Sequence, residues 1–132
     1  LDGMPWGTEC TDIGWSWTPD GLKKLLVRLN NLFPEIPIYI TENGACYNIG
    51  PDENGKINDV KRQEYMALNI SSALESIAEG VNLKGYYAWS LLDNFEWAWG
   101  FSMRFGIVYV DFSTMQRIVK ESGHQFRELV SR

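Results

Sequence analysis

The chain has 132 residues, 45% hydrophobic and 22% charged, with six Trp, six Tyr and six Phe. This composition supplies a packed core and excludes a disordered or fibrous chain. The formal net charge of −5 at pH 7 repels phosphate backbones and anionic lipid, so neither a nucleic-acid partner nor a membrane partner is expected.

In chain order, Leu1-Asp2-Gly3-Met4 has neither a basic nor an apolar leader segment, so no signal peptide is expected. No apolar run approaches the roughly 20 residues that span a bilayer, and a cytoplasmic location is favoured. Residues 1–17 read as irregular, with Trp6, Trp15 and Trp17 among Gly and Pro. Cys10 and Cys46 lack metal-ligand spacing and are expected as two free thiols, and His124 offers no zinc constellation. No metal and no cofactor is expected.

Thr18-Pro19-Asp20 reads as a helix start, with Thr18 as N-cap and Pro19 at the first helical position. Leu22, Leu25, Leu26, Leu29, Leu32 and Phe33 follow at helical spacing and predict about four turns that stop before Pro34. Ile36-Pro37-Ile38-Tyr39-Ile40-Thr41 is nearly all apolar and β-branched, which suits a strand buried on both faces of a parallel sheet. Glu42-Asn43-Gly44 ends that run, and a polar loop follows it to about Asn58.

Asp59 reads as the cap of a second helix, with Met66, Ile70, Ala73, Leu74 and Ile77 as its apolar stripe and Gly80 as its stop. Residues 84–90, with Tyr86, Tyr87 and Trp89, read as a second buried strand. A loop dense in aromatics spans residues 91–105, and residues 107–110 form a short strand. A closing helix over residues 120–130 turns Phe126, Leu129 and Val130 inward. This order predicts an α/β fold with parallel strands and helical crossovers. Two strands close no barrel, and each exposes a hydrophobic edge unless others flank it. The chain is therefore expected to be incomplete on its own.

In parallel α/β folds, functional side chains gather at the C-terminal ends of strands, which singles out Glu42. On position alone it serves equally as a nucleophile or general base and as a turn cap or arginine partner. The second strand leads into Trp89-Ser90-Leu91-Leu92-Asp93-Asn94-Phe95-Glu96-Trp97-Ala98-Trp99-Gly100-Phe101. Trp and Phe faces pack on the C–H faces of sugar rings, and carboxylates accept hydrogen bonds from sugar hydroxyls. Glu96 beside Trp97 therefore fits a carbohydrate subsite; the run also fits a hydrophobic lid whose acids face water.

These residues carry a family resemblance. Ile40-Thr41-Glu42-Asn43-Gly44 resembles the nucleophile motif of family-1 glycoside hydrolases, and Trp89 to Trp97 resembles the loop after the eighth strand of their barrel. Arg104-Phe105-Gly106, Val108-Tyr109-Val110-Asp111 and the upstream Thr11-Asp12-Ile13-Gly14-Trp15 continue the pattern in order. The resemblance runs from about Thr11 to Val130. It implies that residues 1–132 are the C-terminal fragment of one catalytic (β/α)₈ TIM-barrel domain, supplying strands seven and eight with their flanking helices.

On the same resemblance Glu42 would be the nucleophile of a retaining β-glycosidase, with β-glucosidase first among the activities. Trp89 would wall the −1 sugar, Glu96 would accept hydrogen bonds from the O4 and O6 hydroxyls, Trp97 would donate to a neighbouring hydroxyl, and Phe105 would line the pocket. The 6-phospho branch of the family carries Ser in place of this Glu, so Glu96 implies a non-phosphorylated β-glucoside or related small glycoside. Met103 departs from a frequent Lys, Val119 from a frequent Pro, and Gly123 is expected to weaken the start of the last helix.

Retaining hydrolysis uses two carboxyls about 5–5.5 Å apart. The family's acid/base Glu lies in a Thr-x-Asn-Glu-Pro-type motif, and none occurs here. Glu64, Glu75 and Glu79 fall on helix faces by spacing, and Asp52 and Glu53 in a polar loop. The expected partner is the N-terminal part of the same barrel, without which this chain is expected to be inactive. The competing reading is a non-catalytic carbohydrate-binding protein on the same fold.

Overall fold

The computed structural model describes residues 9–18 and 20–131. Residues 1–4, read above for a leader, Trp6 and Pro19 lie outside the described residues. The elements are α1 (Gly21–Leu32), β1 (Ile38–Asn43), α2 (Val60–Ala78), β2 (Leu83–Ala88), a short 3-10 turn at Trp97–Trp99, β3 (Val108–Val110), β4 (Arg117–Val119) and α3 (Glu121–Val130). The α/β class and the parallel pairing of β1 with β2 agree with the expectation. α2 is the crossover, and its exit is a double hydrogen-bonded cap: Gly80 N–H donates to Ile77 O and Val81 N–H to Ser76 O, with Gly80 at φ +93°.

One expected N-cap residue is corrected and the other keeps its place without its cap bond. Asp20, not Thr18, precedes α1, and its side chain makes no cap bond. Asp59 does precede α2, but its carboxylate makes no cap bond there; it is fully buried and accepts instead from Arg62 and from Ser122 N–H in the first turn of α3.

Leu26, Ile40, Ala73 and Val81 form a buried cluster, with Leu22, Val27, Ile38, Leu83 and Tyr86 packed on it. This core covers only one face of the β1–β2 pair. On the other face Tyr39 and Tyr87 are more than half exposed, so these 132 residues taken alone do not bury the pair on both faces. The expected stripes are covered only in part in this chain taken alone: Leu26, Met66 and Ala73 are buried. Leu25, Leu32 and Phe33 of the first, Leu74 and Ile77 of the second, and Leu129 and Val130 of the third are exposed. The buried line of α2 runs instead through Arg62, Met66, Asn69, Ser72, Ala73 and Ser76. Small side chains there let the helix sit close to the sheet, while Arg62 tolerates burial because each of its three nitrogens is hydrogen-bonded.

β3 and β4 form an antiparallel hairpin, and β4 has no counterpart in the sequence reading. Its turn is built by Asp111, whose Oδ1 accepts from the Ser113 hydroxyl at 2.6 Å and the Ser113 N–H at 2.9 Å. These bonds hold the Asp111 carboxyl down at about 2. α3 then packs under the start of the hairpin so closely that a Cβ on Gly123 would lie 2.7 Å from the Ile107 carbonyl oxygen. Gly123 is thus a packing requirement rather than a weakness.

Candidate active site

β1 runs through Glu42 to Asn43, so Glu42 belongs to the strand end itself rather than following it. Trp89 N–H donates to Asn43 O at 2.8 Å and carries the pairing past the end of β2. At the next residue a Cβ on Gly44 would fall 1.6 Å from Trp89 O. Only hydrogen fits between these two backbones, which accounts for the glycine in the Glu42-Asn43-Gly44 run.

One cleft of about 340 Å³ brings together Glu42, Trp89, Glu96, Trp97 and Phe105, all five residues singled out from sequence, and adds Trp15, Asn43, Gly44 and Tyr65. Glu42 is exposed and Glu96 partly so. Among the described residues, neither carboxylate has an ion-pair or side-chain hydrogen-bond partner. Trp97 is 82% exposed while Phe105 is only 3% exposed. The floor of the cleft is therefore buried, and one aromatic wall stands exposed.

Trp97 holds φ at +41°, a conformation that costs a non-glycine residue on the order of 1 kcal/mol. The turn that imposes it is closed by Glu96 N–H to Gly100 O at 2.6 Å and Trp99 N–H to Glu96 O at 2.8 Å. Trp15 enters from the upstream motif. Thr11 N–H donates to Trp15 O, Trp15 N–H to the Thr11 hydroxyl oxygen, and Gly14 sits at φ +85°. Asp12 ties this turn to the strand-end loop by accepting from Asn48 N–H at 2.6 Å. The Trp15 ring then meets Phe105 at 5.6 Å.

Two buried charge networks hold the cleft from behind. Asp93 is fully buried, and its Oδ2 accepts from Arg104 Nη1 at 2.6 Å. Its Oδ1 accepts from Lys120 Nζ at 3.0 Å and Gly106 N–H at 2.9 Å. This anchors the aromatic loop to α3. Desolvation pushes the Lys120 ammonium down to about 8, against the opposing pull of Asp93. Arg104 also stacks on Tyr109, 4.1 Å from the ring centre.

The second network is centred on Arg62, 1% exposed. It pairs with Asp59 and donates to the carbonyls of Ala45, Tyr47 and Arg104 at 3.3, 2.8 and 2.8 Å. Asp59 in turn accepts from the Ser122 N–H and hydroxyl. One guanidinium thus ties the loop after Glu42 to the end of the loop bearing Glu96 and Trp97. No single motif marks Asn43, Tyr65, Arg62 or Asp93 out for these roles. A clue lay in Arg62 and Asp59 at helix-start spacing beside the apolar Met66.

Met103, the departure from the family pattern, packs its Sδ 3.6 Å from Cys46 Sγ. Burial pushes the Cys46 thiol up, and no disulfide joins it to Cys10. Among the described residues no group of three or more His, Cys, Asp or Glu is placed to hold a metal ion. No helix there is long and apolar enough to cross a membrane. An open carboxylate at a strand end, a second carboxylate opposite and aromatic walls between them suit a polar ligand with apolar ring faces.

Comparison with known proteins gives a consistent picture. The family model for glycosyl hydrolase family 1 matches residues 5–132. Beta-glucosidase A of Thermotoga maritima is 48% identical over 120 residues, 91% of this chain and 27% of that protein. Beta-glucosidase A of Acetivibrio thermocellus is 48% identical over 122 residues, 92% of this chain and 27% of that protein. The solved family 1 β-glucosidase from Thermotoga maritima in complex with isofagomine lactam superposes with a TM-score of 0.94 at 44% identity, covering 97% of this chain and 29% of that one. A psychrophilic β-glucosidase from Micrococcus antarcticus gives 0.92 at 43% identity, over 96% and 27%. The chain thus spans less than a third of the length of these relatives.

Proposed function

This chain belongs to glycosyl hydrolase family 1, and from that premise we propose that it supplies the nucleophile and much of the glycone subsite of a retaining β-glycosidase. The activity is foremost that of a β-glucosidase acting on terminal non-phosphorylated β-D-glycosides. The observation that carries the reading is the single cleft shared by Glu42, Trp89, Glu96, Trp97 and Phe105. The names of the relatives, all β-glucosidases in the comparisons above, favour the glucoside.

In this reading residues 1–132 are part of one catalytic barrel, with β1 and β2 as its seventh and eighth strands. The bare face of the pair, bearing Tyr39 and Tyr87, turns inward, and its open edges receive the flanking strands. A Glu42 carboxylate oxygen attacks the anomeric carbon as the bond to the leaving oxygen breaks. The acid/base carboxyl comes from the rest of the barrel, since no Thr-x-Asn-Glu-Pro-type run lies in these 132 residues, and it protonates that oxygen. Water, deprotonated by the same group, then displaces Glu42 from the sugar.

Trp89 walls the sugar, Glu96 accepts from O4 and O6, Trp97 donates its indole N–H to a neighbouring hydroxyl, and Phe105 closes the floor. A phosphate at O6 would meet the Glu96 carboxylate and be repelled. The test is covalent: the complete barrel is incubated with an activated 2-deoxy-2-fluoro-β-glucoside, digested and read by mass spectrometry. A fluoroglucosyl adduct on Glu42 is expected. Binding of deoxynojirimycin without any adduct would replace this reading with a carbohydrate-binding protein on the same fold.

A further inference from the structure

Resting on the reading of Glu42 as nucleophile, we propose that Tyr86 is a positioning residue for it, acting through the side chain of Asn43. The register of β1 against β2 pairs Ile40 with Tyr86 and Asn43 with Ala88, with an irregularity between Ile40 and Asn43. Thr41 and Glu42 fall in that gap, without a partner of their own in the ladder. Pairing with β2 therefore gives Glu42 no ladder partner, and among the described residues no side-chain hydrogen bond or ion pair holds its carboxylate.

The nearest fixed point is Asn43, and every polar group of its side chain is engaged. Its Oδ1 accepts from the Tyr86 hydroxyl at 2.7 Å. Its Nδ2 donates to the Tyr65 hydroxyl at 3.5 Å, and its carbonyl accepts Trp89 N–H at 2.8 Å. Tyr86 stands on β2 against the buried core cluster, so its ring cannot follow a wandering loop. Burial raises the Tyr86 phenol above its ordinary range, which keeps the hydroxyl protonated and donating. Trp17, edge-on to Tyr65 at 5.5 Å, steadies the weaker side of the relay. Tyr86 touches no reacting atom; it fixes the amide beside the nucleophile, and the nucleophile inherits the position.

The experiment compares wild type, Tyr86→Phe, Asn43→Ala and the double variant in the complete barrel. Each is inactivated by a 2-deoxy-2-fluoro-β-glucoside and separately titrated with deoxynojirimycin. Removing one hydroxyl leaves a folded protein, and the limiting rate of Glu42 labelling is expected to fall about tenfold or more, since sub-ångström misplacement of a reacting group is costly. Deoxynojirimycin affinity is expected to stay near wild type, and the double variant to label no more slowly than Asn43→Ala. Wild-type labelling in Tyr86→Phe, equal losses in rate and affinity, or additive losses in the double variant would each overturn the proposal alone. A wild type that takes no label on Glu42 would overturn the nucleophile reading, and this proposal with it.

Discussion

Replacing Gly44 by Ala tests the close approach of the two strand ends. The added Cβ would meet Trp89 O at 1.6 Å and Trp89 C at 2.7 Å. Real Cβ contacts stay above 3.0 Å, so the backbones must separate by at least about 1.4 Å, the difference of 3.0 and 1.6. Neither side yields cheaply. Asn43 O and Trp89 N–H are bonded to each other, and Ser90 N–H is bonded to Phe105 O. The separation therefore parts Glu42 from the Trp89 wall rather than relaxing locally. Misplacement by 1 Å costs on the order of 100-fold in rate, and overpacking of this kind destabilises by about 1–3 kcal/mol. The assay is the labelling rate of the complete barrel with a 2-deoxy-2-fluoro-β-glucoside, alongside its urea midpoint. Gly50→Ala, where a Cβ meets nothing within 4 Å, is the control and is expected to label like wild type. Labelling of Gly44→Ala at the wild-type rate would refute the reasoning.

Asp93→Ala removes the carboxylate from buried Lys120 and half-sequestered Arg104, and breaking a buried pair in this way costs about 3–5 kcal/mol, read as a lowered urea midpoint. Lys120→Met probes the ammonium whose folded-state value is about 8 against an ordinary 10.5. Between those values the unfolded chain binds more protons than the folded one, so wild type gains stability over the variant as pH rises from 8 to 10.5, by about 3 kcal/mol. A difference in urea midpoint that stays flat across this range would contradict it. Glu96→Gln is expected to weaken deoxynojirimycin binding about tenfold or more, since hydrogen bonds to a charged acceptor contribute about 1.5–3 kcal/mol. Calorimetric titration of the complete barrel checks this.

Local chemistry made much of this chain legible. Helical spacing and Gly80 placed α2, and the β-branched run ending in Glu42 placed β1 and the candidate nucleophile. What escaped was decided at a distance. Asp59 looks like a cap because it stands before a helix, but its Ser122 partner lies 63 positions away. Asp93 sits among aromatics like a solvated loop acid, yet its Lys120 partner is 27 positions on. Periodicity reports which residues share a face, not which face is covered. Leu74 and Ile77 on α2, like Tyr39 and Tyr87 on β1 and β2, read as core and are exposed in this chain taken alone. β4 escaped because Arg117–Val119 is too short to show alternation, and its hairpin is set by the Asp111 turn.

The Arg62 guanidinium sets a rule for anyone who wishes to exchange the aromatic loop for another. It reads no side chain of that loop, only the carbonyl of residue 104, while Asp93 collects the Gly106 amide and the Lys120 ammonium. Residues 94–103 are therefore a replaceable cassette between two fixed anchors. A transplanted loop keeps the fold if Asp93 and Arg104 stay at its ends, so that their ion pair and the residue-104 carbonyl both survive. A graft cut inside those anchors leaves both buried networks intact, and one cut outside them strands a buried cation.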